Sequence, residues 1–166
     1  MGKHAGKLNL QKYEKNVTIR PLRLTDYDSI VELQQKCFPG MTPWTHDQFD
    51  SQLAIFPEGQ IGIEYLGRLV ASSSSVILDF ALYKDWQSWE EISDNGFIRN
   101  HNPQGNTLYG IEMMVDPSAR GLKLARRLYD VRKKLAREKN LMRIRPTDAT
   151  IRKICTFEIS KPPPSA

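Results

Sequence analysis

The chain has 166 residues, 40% hydrophobic and 26% charged, with a formal net charge of +5. That length fits one domain able to bury a core without disulfides or metal. The balance excludes a disordered chain, and no apolar run approaches the roughly 20 residues of a membrane helix.

Residues 1–16 are polar and lysine-bearing, with no apolar core of signal-peptide type. They read as a flexible tail, and the protein as cytoplasmic. Cys37 and Cys155 lie far apart and read as free thiols. His4, His46 and His101 are scattered singly, so no metal-ligand spacing is present.

A first strand is predicted over 17–22. Thr25-Asp26-Tyr27-Asp28 then starts a helix with Thr25 as cap, Asp28 standing where a capping box has Glu. Tyr27, Ile30, Val31, Gln34 and Cys37 follow at helical spacing, Gln34 being the one polar break. Pro39-Gly40 ends that helix. Thr45, with Gln48 at the reciprocal position, caps a second one, whose inner face is Phe49, Leu53 and Phe56. Residues 60–65 and 68–80 read as a hairpin around Leu66-Gly67. Four serines, Ser72, Ser73, Ser74 and Ser75, fall in its second strand. They read as small side chains facing packed neighbours or a ligand groove, because no Gly-x-Ser-x-Gly turn presents a nucleophile.

Residues 82–106 form an insertion. Trp86, Trp89 and Ile92 have helical spacing, and Asp94-Asn95-Gly96 is a stop. The insertion is either a lid over a substrate or a helix covering the sheet. A fourth strand is predicted over 107–115 and a helix over 122–138, with Leu124, Leu128, Val131 and Leu135 as one apolar stripe. A fifth strand covers 141–144. The order β-α-α-β-β-β-α-β predicts an α+β fold. Its mixed central sheet is flanked by helices, and the right-handed crossover makes strands 4 and 5 parallel.

The passage from Met113, Met114 and Val115 through Asp116-Pro117-Ser118 to Arg120-Gly121 carries the most chemistry. A strand feeds a tight turn and then a helix N-terminus. The first helical N–H groups lack intrahelical acceptors, and the helix dipole places partial positive charge there. A diphosphate satisfies both. Between Pro117 and Arg145 there are 11 Lys/Arg against 2 Asp/Glu, a local balance of +9. Such a stripe suits a polyanion, although Arg126, Arg132, Lys133, Lys134 and Arg137 read mostly as a solvated helix face. Nucleic acid is not the expected partner, since no aromatic platform interleaves the cations.

At these residues the chain resembles the GNAT superfamily of acyl-CoA-dependent N-acyltransferases. That family's diphosphate loop reads Arg/Gln-x-x-Gly-x-Gly/Ala. The six positions here are Arg120, Gly121, Leu122, Lys123, Leu124 and Ala125. Arg120 and Ala125 match, and Lys123 stands where the family usually has glycine, adding a cation. The opening Ile19-Arg20-Pro21-Leu22, followed by Thr-Asp and a helix, is also similar to the family. Further wording, such as Pro57-Glu58-Gly59 and Leu128-Tyr129-Asp130, looks like a bacterial branch. Some members of that branch are fused to a nitrilase-type carbon–nitrogen hydrolase domain.

The resemblance implies acetyl-CoA as cosubstrate and a primary amine, small-molecule or protein, as acceptor. It places the thioester against main-chain groups of Met113, Met114 and Val115. Glu112, the only carboxylate within the fourth strand, is the implied general base. Its apolar neighbours Ile111, Met113 and Met114 would raise its pKa, which suits proton removal. Asp116 is a weaker candidate, because Asp before Pro is ordinary turn chemistry. His101 is the other candidate base.

The resemblance covers 17–145 and stops there. The family continues with another helix and two strands and often supplies a tyrosine as general acid. Residues 146–166 contain no tyrosine and suggest at most one short strand, around Cys155, Phe157 and Ile159. The expectation is a core at 17–145 with an atypical short C-terminal segment and an open sheet edge that admits self-association. The alternative function is a degenerate module that binds CoA or a protein partner without turnover.

Overall fold

The structure, a computed structural model, describes residues 16–83 and 88–145. The tail at 1–15, Trp86, and the segment 146–166 with Cys155 lie outside the described residues.

Among the described residues, five strands form one sheet in the order β1-β2-β3-β4-β5. They are β1 (Val17–Pro21), β2 (Ile61–Tyr65), β3 (Arg68–Leu78), β4 (Thr107–Val115) and β5 (Arg143–Arg145). Neighbours are antiparallel except β4 and β5, which are parallel, as the crossover requires. Edge strand β1 leaves Ile19 39% exposed. In the centre, β4 is buried along its whole length. Both its faces are covered, so its sequence is mostly apolar on both, with Glu112 the one buried carboxylate in it.

Among the described residues, four helices surround the sheet: α1 (Tyr27–Cys37), α2 (His46–Ile55), α3 (Trp89–Ser93) and α4 (Leu124–Glu138). Successive β4 residues point to opposite faces. Met113 and Val115 pack with Leu124 and Leu128 of α4, whereas Glu112 meets Gln34 of α1. Helices α1 and α4 therefore cover opposite faces.

Local chemistry explains several boundaries. The Thr45–Gln48 box forms as expected, with Gln48 N–H on Thr45 Oγ1 at 3.2 Å and Thr45 N–H on Gln48 Oε1 at 2.8 Å. The start of α1 differs. A 3-10 turn at Leu24–Asp26 precedes it, and Asp26, not Thr25, is its cap residue. The Asp26 carboxylate turns back to Arg23 N–H at 2.7 Å and to Arg20 at 2.7 and 2.8 Å. Strand β3 ends at Leu78 because Asp79 caps the next turn. Strand β5 starts at Arg143 because Leu141 N–H still bonds to Ala136 O at the end of α4.

The described part of the insertion is core. Trp89, Ile92 and Ile98 are buried, and Ser88 caps α3 through a box with Glu91. The serine run is buried on both faces of β3, from 1% to 4% exposed. Cys37 is buried, its thiol donating to Val115 O. Among the described residues, no helix is long and apolar enough to cross a membrane.

Candidate active site

The site begins with an irregularity in β4. Ser74 pairs with Glu112, but Ser75 pairs with Gly110, which leaves Ile111 as an extra residue. A bulge of this kind bends the strand and frees ladder groups. Beyond it the alternation is regular and is anchored by Asp116 N–H on Val70 O at 2.8 Å. It turns the amide of Met114 toward β3, and those of Met113 and Val115 toward the opposite edge. Of the three main-chain contacts expected from the sequence, Met113 and Val115 are therefore the ones aimed away from β3.

Glu112 sits at the bulge and is 3% exposed. Its carboxylate accepts Trp44 Nε1–H at 2.9 Å and Gln34 Nε2–H at 3.1 and 3.2 Å. Gln34 Oε1 in turn accepts Trp44 N–H at 2.8 Å. Trp89 stacks on Trp44 with ring centres 5.5 Å apart and donates its indole N–H to Ile111 O at 2.9 Å. The carboxylate thus lies in a small polar cage formed by Gln34 and the Trp44 indole, which Trp89 backs from behind. Sequence reasoning singled out Glu112 but none of its partners. The signal for Gln34 was its place as the polar break in an apolar helical stripe.

The loop after β4 is built in two steps. Asp116 Oδ1 accepts Ser118 N–H at 2.8 Å and the Ser118 hydroxyl at 2.7 Å, while Lys36 reaches Oδ2 at 3.3 Å. Burial by itself would raise the Asp116 carboxyl, but Ser118 and Lys36 hold it below the usual range. Asp116 therefore caps the turn Pro117–Ala119, as Asp before Pro commonly does. Next, Gly121 has φ +89° and Lys123 has φ 56°. These two left-handed residues delay α4 to Leu124, two residues later than the apolar pattern suggests. Gly121 adopts that geometry freely. Lys123 does so at a cost on the order of 1–3 kcal/mol, at the position where a glycine would carry no such strain.

The six loop residues divide by role. Leu122, Leu124 and Ala125 anchor the loop in the cluster formed with Leu128, Val70 and Met113. Arg120, Gly121 and Lys123 are exposed. The first turn leaves the N–H groups of Leu124, Ala125 and Arg126 without acceptors inside the helix. A Cβ built on Gly121 would meet nothing within 4 Å. Donors, positive charge and open space therefore coincide.

Two other expectations change. His101 is not poised as a base. Its Nδ1 accepts Ile77 N–H at 3.1 Å, and its ring stacks on Phe56 at 4.4 Å. Burial holds its pKa below the ordinary 6.5, against the pull of Glu58 and with the push of Lys139. A folded pKa below the unfolded one means that the unfolded chain binds more protons. The stabilisation is complete above about pH 6.5 and is lost as pH falls through the folded value. In urea titrations, the wild type should lose more stability between neutral and mildly acidic pH than His101→Gln, which keeps an acceptor but does not titrate. Equal losses would remove His101 as a pH-linked clamp.

The second correction concerns Arg132, read from sequence as part of a solvated face. It is 3% exposed. Its Nη2 donates to Ser74 O at 3.0 Å and to Glu112 O at 2.8 Å, so the helix sends a cation into the bulge.

Residues 27–150 match the family described as Acetyltransferase (GNAT) family. The chain is 46% identical over 138 residues to the probable hydrolase YhcX of Bacillus subtilis, across 83% of this chain and 27% of that protein. It is 35% identical over 138 residues to the uncharacterized N-acetyltransferase YkwB of the same organism, across 81% of this chain and 61% of that one. The chain thus spans less than two thirds of either curated relative. Among solved structures, the loading GNATL domain of CurA from Lyngbya majuscula superposes with a TM-score of 0.60 at 15% identity, over 72% of this chain and 58% of that one. Ard1 from Thermoplasma volcanium superposes with 0.58 at 18% identity, over 81% and 74%. These two likenesses concern the fold.

Proposed function

The chain belongs to the acetyltransferase (GNAT) family, and on that premise we propose that it transfers an acetyl group from acetyl-CoA to a primary amine, free or on a protein. The observation that carries this reading is the continuity of one backbone path. The outward amides of Met113 and Val115 lead through the Asp116 turn directly to the uncapped first turn of α4.

The residues present suit a CoA thioester. Arg120, Lys123 and the N–H groups of Leu124 and Ala125 would hold the diphosphate, and Gly121 leaves room for it. Acetyl-CoA supplies the activated carbonyl carbon. Main-chain N–H groups of β4 would orient the carbonyl and stabilise charge on its oxygen. Glu112 would take the amine proton, directly or through one water. The C–N bond forms as the C–S bond breaks, and the departing thiolate takes its proton from solvent. We place the reaction in the cytoplasm.

A second reading has its own support. A Glu112 carboxylate that is 3% exposed and held by two side chains suits a module that binds CoA without turnover. Calorimetric titration with acetyl-CoA, followed by turnover on a panel of primary amines, separates the two. Reversing both loop charges, Arg120→Glu with Lys123→Glu, should weaken acetyl-CoA binding by about 10²-fold, each reversal replacing an attraction of roughly 0.5–1 kcal/mol with a repulsion. Unchanged affinity would place the diphosphate elsewhere.

A further inference from the structure

A single nitrogen of Arg132 donates to the carbonyls of both Ser74 and Glu112, the pair that borders the bulge in β4. That nitrogen can reach them because the facing residue is Gly110. A Cβ there would lie 2.3 Å from Arg132 Nη1. The guanidinium is buried against backbone with no ion pair among the described residues, and its Nε has no hydrogen-bond partner. Burial lowers its pKa to about 10, which leaves it charged at neutral pH. An unpaired buried cation is a costly way to hold two carbonyls. An apolar side chain at this position would continue the Leu124–Leu128–Leu135 stripe at lower cost.

The placement of Arg132 explains its use. It stands on the helix whose first turn forms the proposed diphosphate loop, and it grips the strand at the residue that carries Glu112. We propose that Arg132, seated on Gly110, is a positioning residue: it locks the β4 bulge to α4 and so sets the distance and angle between the diphosphate loop and the outward amides of Met113 and Val115. This rests on the acetyl-CoA reading above. Nucleotide and thioester ends of one ligand bind to separate pieces of backbone, and Arg132 is the rigid tie between them. Glu112, on the opposite face, is held by a different set of donors, so the tie acts on the thioester end through the main chain.

The test compares two ligands on the whole protein: acetyl-CoA, and 3′-phosphoadenosine 5′-diphosphate, which ends before the pantetheine arm. Arg132→Met should weaken acetyl-CoA by about tenfold, roughly 1.4 kcal/mol and close to the worth of one displaced hydrogen bond. The nucleotide fragment should change by less than about twofold. Arg132→Lys, which can still cap one carbonyl, should recover part of the loss. Gly110→Ala, which keeps the arginine but displaces it, should reproduce the loss. If Arg132→Met does not fold, the same ratio in Arg132→Lys and Gly110→Ala decides. Equal weakening of both ligands would make Arg132 a general support of α4, and no change in either would remove it from the site. A wild type that binds the fragment but gains nothing from the acetyl-pantetheine arm would overturn the tie. A wild type that binds neither ligand would overturn the acetyl-CoA reading itself.

Discussion

Glu112→Gln should lower turnover by about 10²- to 10⁴-fold, the usual worth of a general base, while leaving acetyl-CoA affinity nearly unchanged. The geometry makes this variant informative. Trp44 and Gln34 both donate to Glu112 Oε1, and a glutamine amide oxygen can still accept there. The substitution removes the capacity to take a proton more than it removes the cage. Affinity should hold because the proposed diphosphate loop starts beyond Asp116 and is anchored by Leu122, Leu124 and Ala125 on the other face of the sheet. The measurement is a steady-state rate on whichever amine of the panel is acetylated, with calorimetry on the same samples. A rate within a few-fold of the parent would make the Trp44–Gln34–Glu112 cluster a structural brace for the bulge. Failure of acetyl-CoA to bind the variant would show that Glu112 shapes the strand and not only the chemistry.

Arg20→Met should destabilise the fold by about 3 kcal/mol, near the low end of the range for breaking a buried ion pair. Arg20 meets Asp26 at 2.7 Å and Glu64 at 2.6 Å, and its side chain is 11% exposed. It joins β1 and β2 to the start of α1, so its loss leaves two carboxylates facing each other. Glu64 is 30% exposed, and water will relieve part of its share, which is why the low end is expected. The pH dependence gives an independent check. Burial would raise the Asp26 carboxyl, but Arg20 and the Arg23 N–H overcome it and hold the group below its ordinary 3.8. A carboxylate lowered in the folded state adds stability above about pH 3.8 and loses it as pH falls through the folded value. The acid side of the wild-type stability curve should therefore be steeper than that of Arg20→Met. An unchanged urea midpoint in the variant would show that the ion triad adds nothing net.

Much of the molecule is legible in its sequence. The strand at Thr107–Val115, the Thr45–Gln48 box, the buried serine run and the role of Asp116 as turn chemistry all follow from patterns within a few residues, and the parallel last pair follows from the handedness of the β4–α4–β5 crossover. Glu112 could be singled out as the one carboxylate in an apolar strand. What surrounds it could not. Gln34, Trp44 and Trp89 come from three separate elements, and only packing brings them to one carboxylate.

Local physics accounts for this division. The period of apolar residues, the caps and the Pro and Gly turns act over one or two turns of chain, so element order, the α+β class and the loop before α4 are properties of the sequence by itself. Lys123 shows the first limit, since a lysine does not announce a left-handed backbone; the turn that Gly121 and the anchored Leu122 and Leu124 impose puts it there. Arg132 shows the second. By charge it belongs outside, yet it lies four residues after Leu128 and three before Leu135, on the buried row. Its fate depended on an opposing strand with a bulge to cap and a glycine to make room. Those two features sit on β4, and only the tertiary structure sets them against α4.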